Sequence, residues 1–201
     1  GNRGSGQWCR ARKNASTLHK DPGVLMAVPS ILKRIIERKH EEIALGKSQY
    51  SESTLLQMTD SSPAPRGFER SLKRALLDGP AIIAEVKKAS PSAGIIRENF
   101  QPDEIARSYE SAGAACLSVL TDRDFFKGDE KYLHQASKAC SLPVLRKDFM
   151  VDAWQILESR AMGADCILLI ASALEQAQMR DLLVMVDVLG RSLLLVHELT
   201  L

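Results

Sequence analysis

The chain has 201 residues, of which 45 % are apolar and 26 % charged, and carries a formal net charge of +2. Such a composition suits a globular domain with one substantial core and argues against intrinsic disorder. The small, interspersed charge gives no reason to expect a nucleic-acid partner, and no stretch reaches the roughly 20 apolar residues of a membrane-spanning helix.

Residues 1–25 are rich in Gly, Asn and Arg, show no helical or strand period, and read as a disordered leader outside the domain. Residues 26–80 read as a helical extension. Pro29-Ser30 precedes Ile31, Leu32, Ile35 and Ile36 at helical spacing, which predicts an amphipathic helix running to about Ala44. The polar piece 46–65 is expected to be anchored by Leu55, Leu56 and Met58, and a short helix around Phe68–Leu77 leads into Gly79-Pro80.

From Ala81 to residue 201 the text repeats strand, turn and helix. Strand 82–86 is followed by a helix at Pro102–Ala112, with Asp103 and Glu104 in its first turn and Gly113 closing it. Strand Ala115–Leu120 leads through a Phe125-Phe126-Lys127-Gly128 loop to a helix around 129–139. Strand 143–146 precedes a helix at Asp152–Met162, strand Cys166–Ile170 precedes a helix at Glu175–Leu189, and the last strand is Ser192–His197. Short apolar strands alternating with helices argue for an α/β protein with a parallel sheet, either doubly wound or a barrel. Lys87–Gly94, after the first strand, holds a single glycine, so a G-x-G-x-x-G dinucleotide site is not expected. Polar residues where the first, second and third strands end suit a (β/α)8 barrel, whose chemistry collects on its C-terminal rim. Cys9, Cys116, Cys140 and Cys166 form no C-x-x-C pair, so neither a zinc site nor a redox motif is indicated, and reduced thiols in a cytosolic protein are expected.

The stretch Ile82-Ile83-Ala84-Glu85-Val86-Lys87-Lys88-Ala89-Ser90-Pro91-Ser92 is the most informative. Side chains alternate along a strand, so Glu85 and Lys87 project from the same face as Ile83, at the strand's C-terminal end. Leu142-Pro143-Val144-Leu145 likewise runs into Arg146-Lys147-Asp148-Phe149. Taken alone, these letters fit either an active-site rim or a surface ion pair beside a solvated loop.

Together with Ala114–Asp122, the Phe125–Gly128 loop, Val151–Ile156 and Gly163–Ile170, these motifs resemble the indole-3-glycerol phosphate synthases of tryptophan biosynthesis. The resemblance covers about residues 28–195, and several ordered motifs are more specific than any one of them. It implies a TIM barrel with an N-terminal helical extension. It also implies a carbon–carbon lyase that closes 1-(2-carboxyphenylamino)-1-deoxyribulose 5-phosphate to indole-3-glycerol phosphate, losing carbon dioxide and water without a cofactor. Lys147 matches the family lysine that polarises the ribulose carbonyl. Lys87 matches the lysine that contacts the substrate and helps dehydration, and Glu85 matches its carboxylate partner. Ser90 and Ser92 would line the substrate end of the loop, and Phe125 or Phe126 would pack on the aromatic ring.

The family pattern continues for three more strands and helices, so this chain is expected to hold only about the first five βα units, as a partial barrel over 81–201. Where family members carry a catalytic glutamate at the end of the fifth strand, the text reads Leu195-Val196-His197-Glu198. Glu198, beyond the histidine, differs in height and facing from the family acid. Open strand edges invite pairing. A non-catalytic half-barrel that self-associates or complements a missing half is therefore the alternative expectation to an active lyase.

Overall fold

The computed structural model describes residues 30–189 and the strand at 192–196. The expected leader, together with His197 and Glu198, lies outside the described residues. Three helices come first: α1 (Ser30–Gln49), α2 (Glu52–Asp60) and α3 (Phe68–Ala75). Next are β1 (Ile83–Val86), a small hairpin of β2 (Ala89–Ser90) and β3 (Gly94–Ile95), and α4 (Pro102–Ser111). The chain then alternates β4 (Cys116–Leu120), α5 (Glu130–Ala139), β5 (Val144–Lys147), α6 (Ala153–Ala161), β6 (Cys166–Ile170), α7 (Gln176–Val188) and β7 (Ser192–Val196). The five long strands pair in parallel in the order β1-β4-β5-β6-β7, with helical crossovers between neighbours. A parallel pair needs such a crossover, and each helix returns to cover the same outer face.

Strand alternation sorts the core into two sides. Ile83, Cys116, Leu145, Cys166, Leu168 and Ile170 share one cluster on the inner face. On the outer face Val86, Leu117, Val119 and Val144 meet Ile105 and Ala106 of α4 and Leu133 and Ala136 of α5. Ile167 and Leu169 pack against Ile156 of α6 and Leu182 and Val186 of α7. Both faces are apolar because both are covered, the condition that gives parallel strands their continuous apolar runs.

The N-terminal helices are fastened at both ends of the sheet. Below the strands, the Arg66 guanidinium donates to the carbonyls of Leu142 and Ser137 at 2.7 Å each, and its backbone N–H donates to Asp165 Oδ1 at 2.7 Å. Asp165 Oδ2 accepts the N–H of Val144, the first residue of β5, at 2.8 Å. Phe68 packs beside Ala115 and Cys116 at that same end. Above the strands, Lys39 of α1 reaches the loops that follow β4 and β5.

Several boundaries differ from those read along the chain. The first helix runs past Ala44 to Gln49, because Gly46 presents a bare backbone against the Trp154 ring, where a Cβ would collide. Packing there overrides glycine's weak helix propensity. The polar piece contains α2, whose N-cap Ser51 accepts the Thr54 N–H at 3.2 Å. Of its three expected anchors only Leu55 is buried, while Leu56 and Met58 are 46 % and 43 % exposed, because a single helical face meets α6. The third strand shifts by one residue to end at Lys147, and the last is described to Val196. No helix among the described residues is long and apolar enough to cross a membrane.

The loop after β4 is tightly wound. Gly128 donates its N–H to the Asp122 carbonyl at 2.6 Å, and a Cβ there would sit 2.6 Å from the Leu120 carbonyl oxygen and 2.7 Å from that of Asp122. Backbone atoms cannot yield as a side-chain end can. Gly128→Ala is therefore expected to lower unfolding free energy by about 1–3 kcal/mol, read as a shifted midpoint in urea. An unchanged midpoint would show that the loop relaxes freely.

Candidate active site

Alternation along β5 separates three charged residues that adjoin in sequence. Lys147 projects to the inner face with Leu145, while Arg146 and Asp148 are buried among the loops and α6 on the other side. Lys147 is partly exposed. It donates a short hydrogen bond to Glu85 Oε1, and Lys87 lies 2.9 Å from Glu85 Oε2. The Glu85 carboxylate therefore bridges both ammonium groups. Its pKa is lowered: burial disfavours its charge, but hydrogen bonds from Lys147 and Lys87 outweigh that.

β1 and β5 are not neighbours, since β4 runs between them. In register, Glu85 sits opposite Ser118, and Ser118 opposite Leu145. A small side chain at Ser118 leaves the long Glu85 and Lys147 side chains free to meet above it. Ser118 was not singled out from the sequence. Only the pairing register reveals that it stands opposite Glu85 on one side and Leu145, two residues before Lys147, on the other.

A cavity of about 160 Å³ opens beside this cluster, walled by Lys87, Ser90, Pro91, Ser92, Phe126 and Lys147, with Leu120, Asp148, Phe149, Leu168 and Ile170 completing it. Ser90 Oγ accepts the Ala93 N–H at 3.1 Å, which curls the turn that carries Ser92. Phe126 faces Phe149 with ring centroids 6.1 Å apart. Phe125 is not among the cavity walls and packs against the inner-face cluster. Among the described residues no group of His, Cys, Asp and Glu is arranged to hold a metal.

Behind Lys147 lies a buried charge network invisible to motif reading. The Lys39 ammonium, 2 % exposed, is 2.9 Å from Asp122 Oδ2, 2.9 Å from Asp148 Oδ1 and 2.7 Å from Glu42 Oε2. Asp148 Oδ2 accepts the Thr121 hydroxyl at 2.7 Å and the Arg146 guanidinium at 3.2 Å. Arg146 also donates to Glu158 at 2.7 Å and Ser159 at 3.0 Å. Burial works against both cations, yet the carboxylates around them raise the pKa of each above its ordinary value.

The fold is a parallel βα array with charged side chains gathered where its strands end, the place where βα-barrel enzymes keep their active sites. Residues 32–197 match the family model of indole-3-glycerol phosphate synthase. The chain belongs to that family of carbon–carbon lyases, which form indole-3-glycerol phosphate in tryptophan biosynthesis from a phosphorylated small-molecule substrate.

Asp148 sets a pH dependence. Burial disfavours its charge, but Lys39, Arg146 and the Thr121 hydroxyl hold its carboxyl at about 2, below the ordinary 3.8. A depressed carboxylate contributes fully above its unfolded value, and that contribution is lost as pH falls from 3.8 towards 2. Asp148→Asn is expected to be less stable at pH 7 by about 3–5 kcal/mol. Its stability should also fall less steeply than the unsubstituted chain's between about pH 4 and 2. Urea titrations across that range check both, and parallel acid limbs would refute the assignment.

Proposed function

We propose that Lys147, Lys87 and Glu85 carry the ring closure in this chain. The observation that bears most on this reading is the pairing of two ammonium groups on one carboxylate at the wall of a cavity with an aromatic side. The Lys147 ammonium donates a proton towards the ribulose carbonyl oxygen while the aryl carbon bearing the carboxylate attacks the carbonyl carbon. Carbon dioxide leaves with the C–C bond pair returning to the ring. The new hydroxyl then departs as water, taking a proton from Lys87, and loss of a proton completes the indole.

Glu85 pairs with both lysines and aims them inward, a fixed electrostatic arrangement that needs no reorganisation as charge develops. Phe126 supports the aryl ring by stacking, with Phe125 behind it. Ser90 and Ser92 contact polar groups of the substrate from the turn after β1. Among the described residues Cys116, Cys140 and Cys166 form no disulfide, which fits a reducing, cytoplasmic setting. Among the described residues β1 and β7 terminate the sheet, which favours a second reading, self-association through those edges. Sedimentation across a concentration series tests it, with a concentration-independent monomer as the opposing result.

The activity test adds the carboxyphenylamino-deoxyribulose phosphate to purified chain and follows indole-glycerol phosphate fluorescence. Lys147→Ala is expected to cut kcat by about a hundredfold or more. A variant that turns over as fast as the unsubstituted chain would remove Lys147 from the acid role. Glu85→Gln should lower kcat less, by about tenfold, since it loosens the lysines without deleting either.

A further inference from the structure

We propose that Lys39, on the N-terminal helix α1, is a positioning residue for the reaction: its ammonium, locked between Asp122 and Asp148, sets the spacing between the Phe126 wall and Lys147. This rests on the roles proposed for those two residues. Lys39 does not line the substrate cavity, so it acts through its partners.

The two carboxylates belong to different βα loops. Asp122 follows β4, and its Oδ1 accepts the N–H groups of Phe125 and Phe126 at 2.9 and 3.1 Å. Its Oδ2 receives no hydrogen bond among the described residues and has only the Lys39 charge, 2.9 Å away. Asp148 directly follows Lys147, and its Oδ1 accepts the Phe149 N–H at 2.9 Å while pairing with Lys39. One nitrogen therefore stands a single carboxylate from the backbone of the aromatic wall and a single carboxylate from the residue next to the acid.

An ammonium has three protons and no acceptor. Here three carboxylates surround it: Glu42, one turn along the same helix, accepts a hydrogen bond at 2.7 Å, and Asp122 and Asp148 stand 2.9 Å away as ion pairs. A tripod of this kind leaves the nitrogen no alternative seat. Neutralising the two aspartates would require only a nearby cation. Holding two loops at a set separation requires one cation shared between them, and Lys39 stands 2.9 Å from both carboxylates. Behind Lys39 a polar cavity of about 390 Å³, between α1 and α6, also touches Asp148 and Thr121, which gives room for a longer side chain.

The test compares Lys39→Met with Lys39→Arg at a temperature where circular dichroism shows each folded. The Met variant should lose at least about tenfold in kcat, with KM changed less than about threefold, and the Arg variant should regain most of the loss. Because Lys39→Met leaves two buried carboxylates short of a cation, Lys39→Met/Asp122→Asn is measured beside it. That double variant should fold more readily and lose kcat to a similar extent. A folded variant without Lys39 that keeps the original kcat, or a loss that Lys39→Arg leaves uncorrected, overturns the proposal.

Amide NMR provides a readout that does not depend on turnover. The Phe125, Phe126 and Phe149 resonances should shift in the Met variant and return in the Arg variant. If the unsubstituted chain shows no turnover, the proposed function fails. These amides then decide the positioning role alone, and unchanged resonances overturn it.

Discussion

A buried ammonium shared between two strand-end loops is the constraint on which the rest of the rim depends. Lys39 arrives from a helix outside the βα repeat and meets Asp122 and Asp148 where β4 and β5 release their chains. Desolvating such charges is costly, and a well-packed apolar substitute would often stabilise as much. What an apolar contact cannot supply is direction. Three ion pairs on one nitrogen define its position, and through Asp122 and Asp148 they define where the Phe126 turn and Lys147 stand.

The same logic operates on the inner face, with the signs reversed. There one carboxylate, Glu85, holds the two cations Lys87 and Lys147. The inner cluster is partly exposed and the outer network buried, a division suited to their tasks. Groups that must meet a substrate keep access to it, while the groups that hold them are sealed from water, where electrostatic interactions are least screened. Membership of the indole-3-glycerol phosphate synthase family is what the roles proposed for these lysines rest on, protonating a carbonyl and expelling a hydroxyl.

The helical extension is part of the enzyme's architecture and not an appendage to it. Arg66 grips the lower end of the sheet through Ser137, Leu142 and Asp165, and Lys39 grips the upper end. Between them Leu55 and Ile43 pack with Trp154 and Leu157 of α6. A chain clamped at both ends of its strands resists the splaying of loops that a parallel sheet otherwise leaves free.

The order of strands and helices was legible in the sequence because its cause is local. Alternating apolar runs, the acidic first turn of α4 and the glycine stops at Gly113 and Gly163 act within a few residues of themselves. The Glu85, Lys87 and Lys147 motif was legible too, since it adjoins strand ends that the pattern marks. The helix α2, the continuation of α1 through Gly46, and the exposure of Leu56 and Met58 were not, because each depends on contact with α6, about a hundred residues away. Lys39 and Ser118 gave no signal at all: one reads as an ordinary charge on an amphipathic helix, the other as an ordinary polar residue in a strand. Composition, periodicity and motif thus determined the alternation of parallel strands and helices and which charged residues end the strands. Only the tertiary structure decided that Lys147 and Asp148 line the cavity while Arg146 does not, and which lysine lies buried behind them, because burial and pairing follow from pleat, register and distant packing.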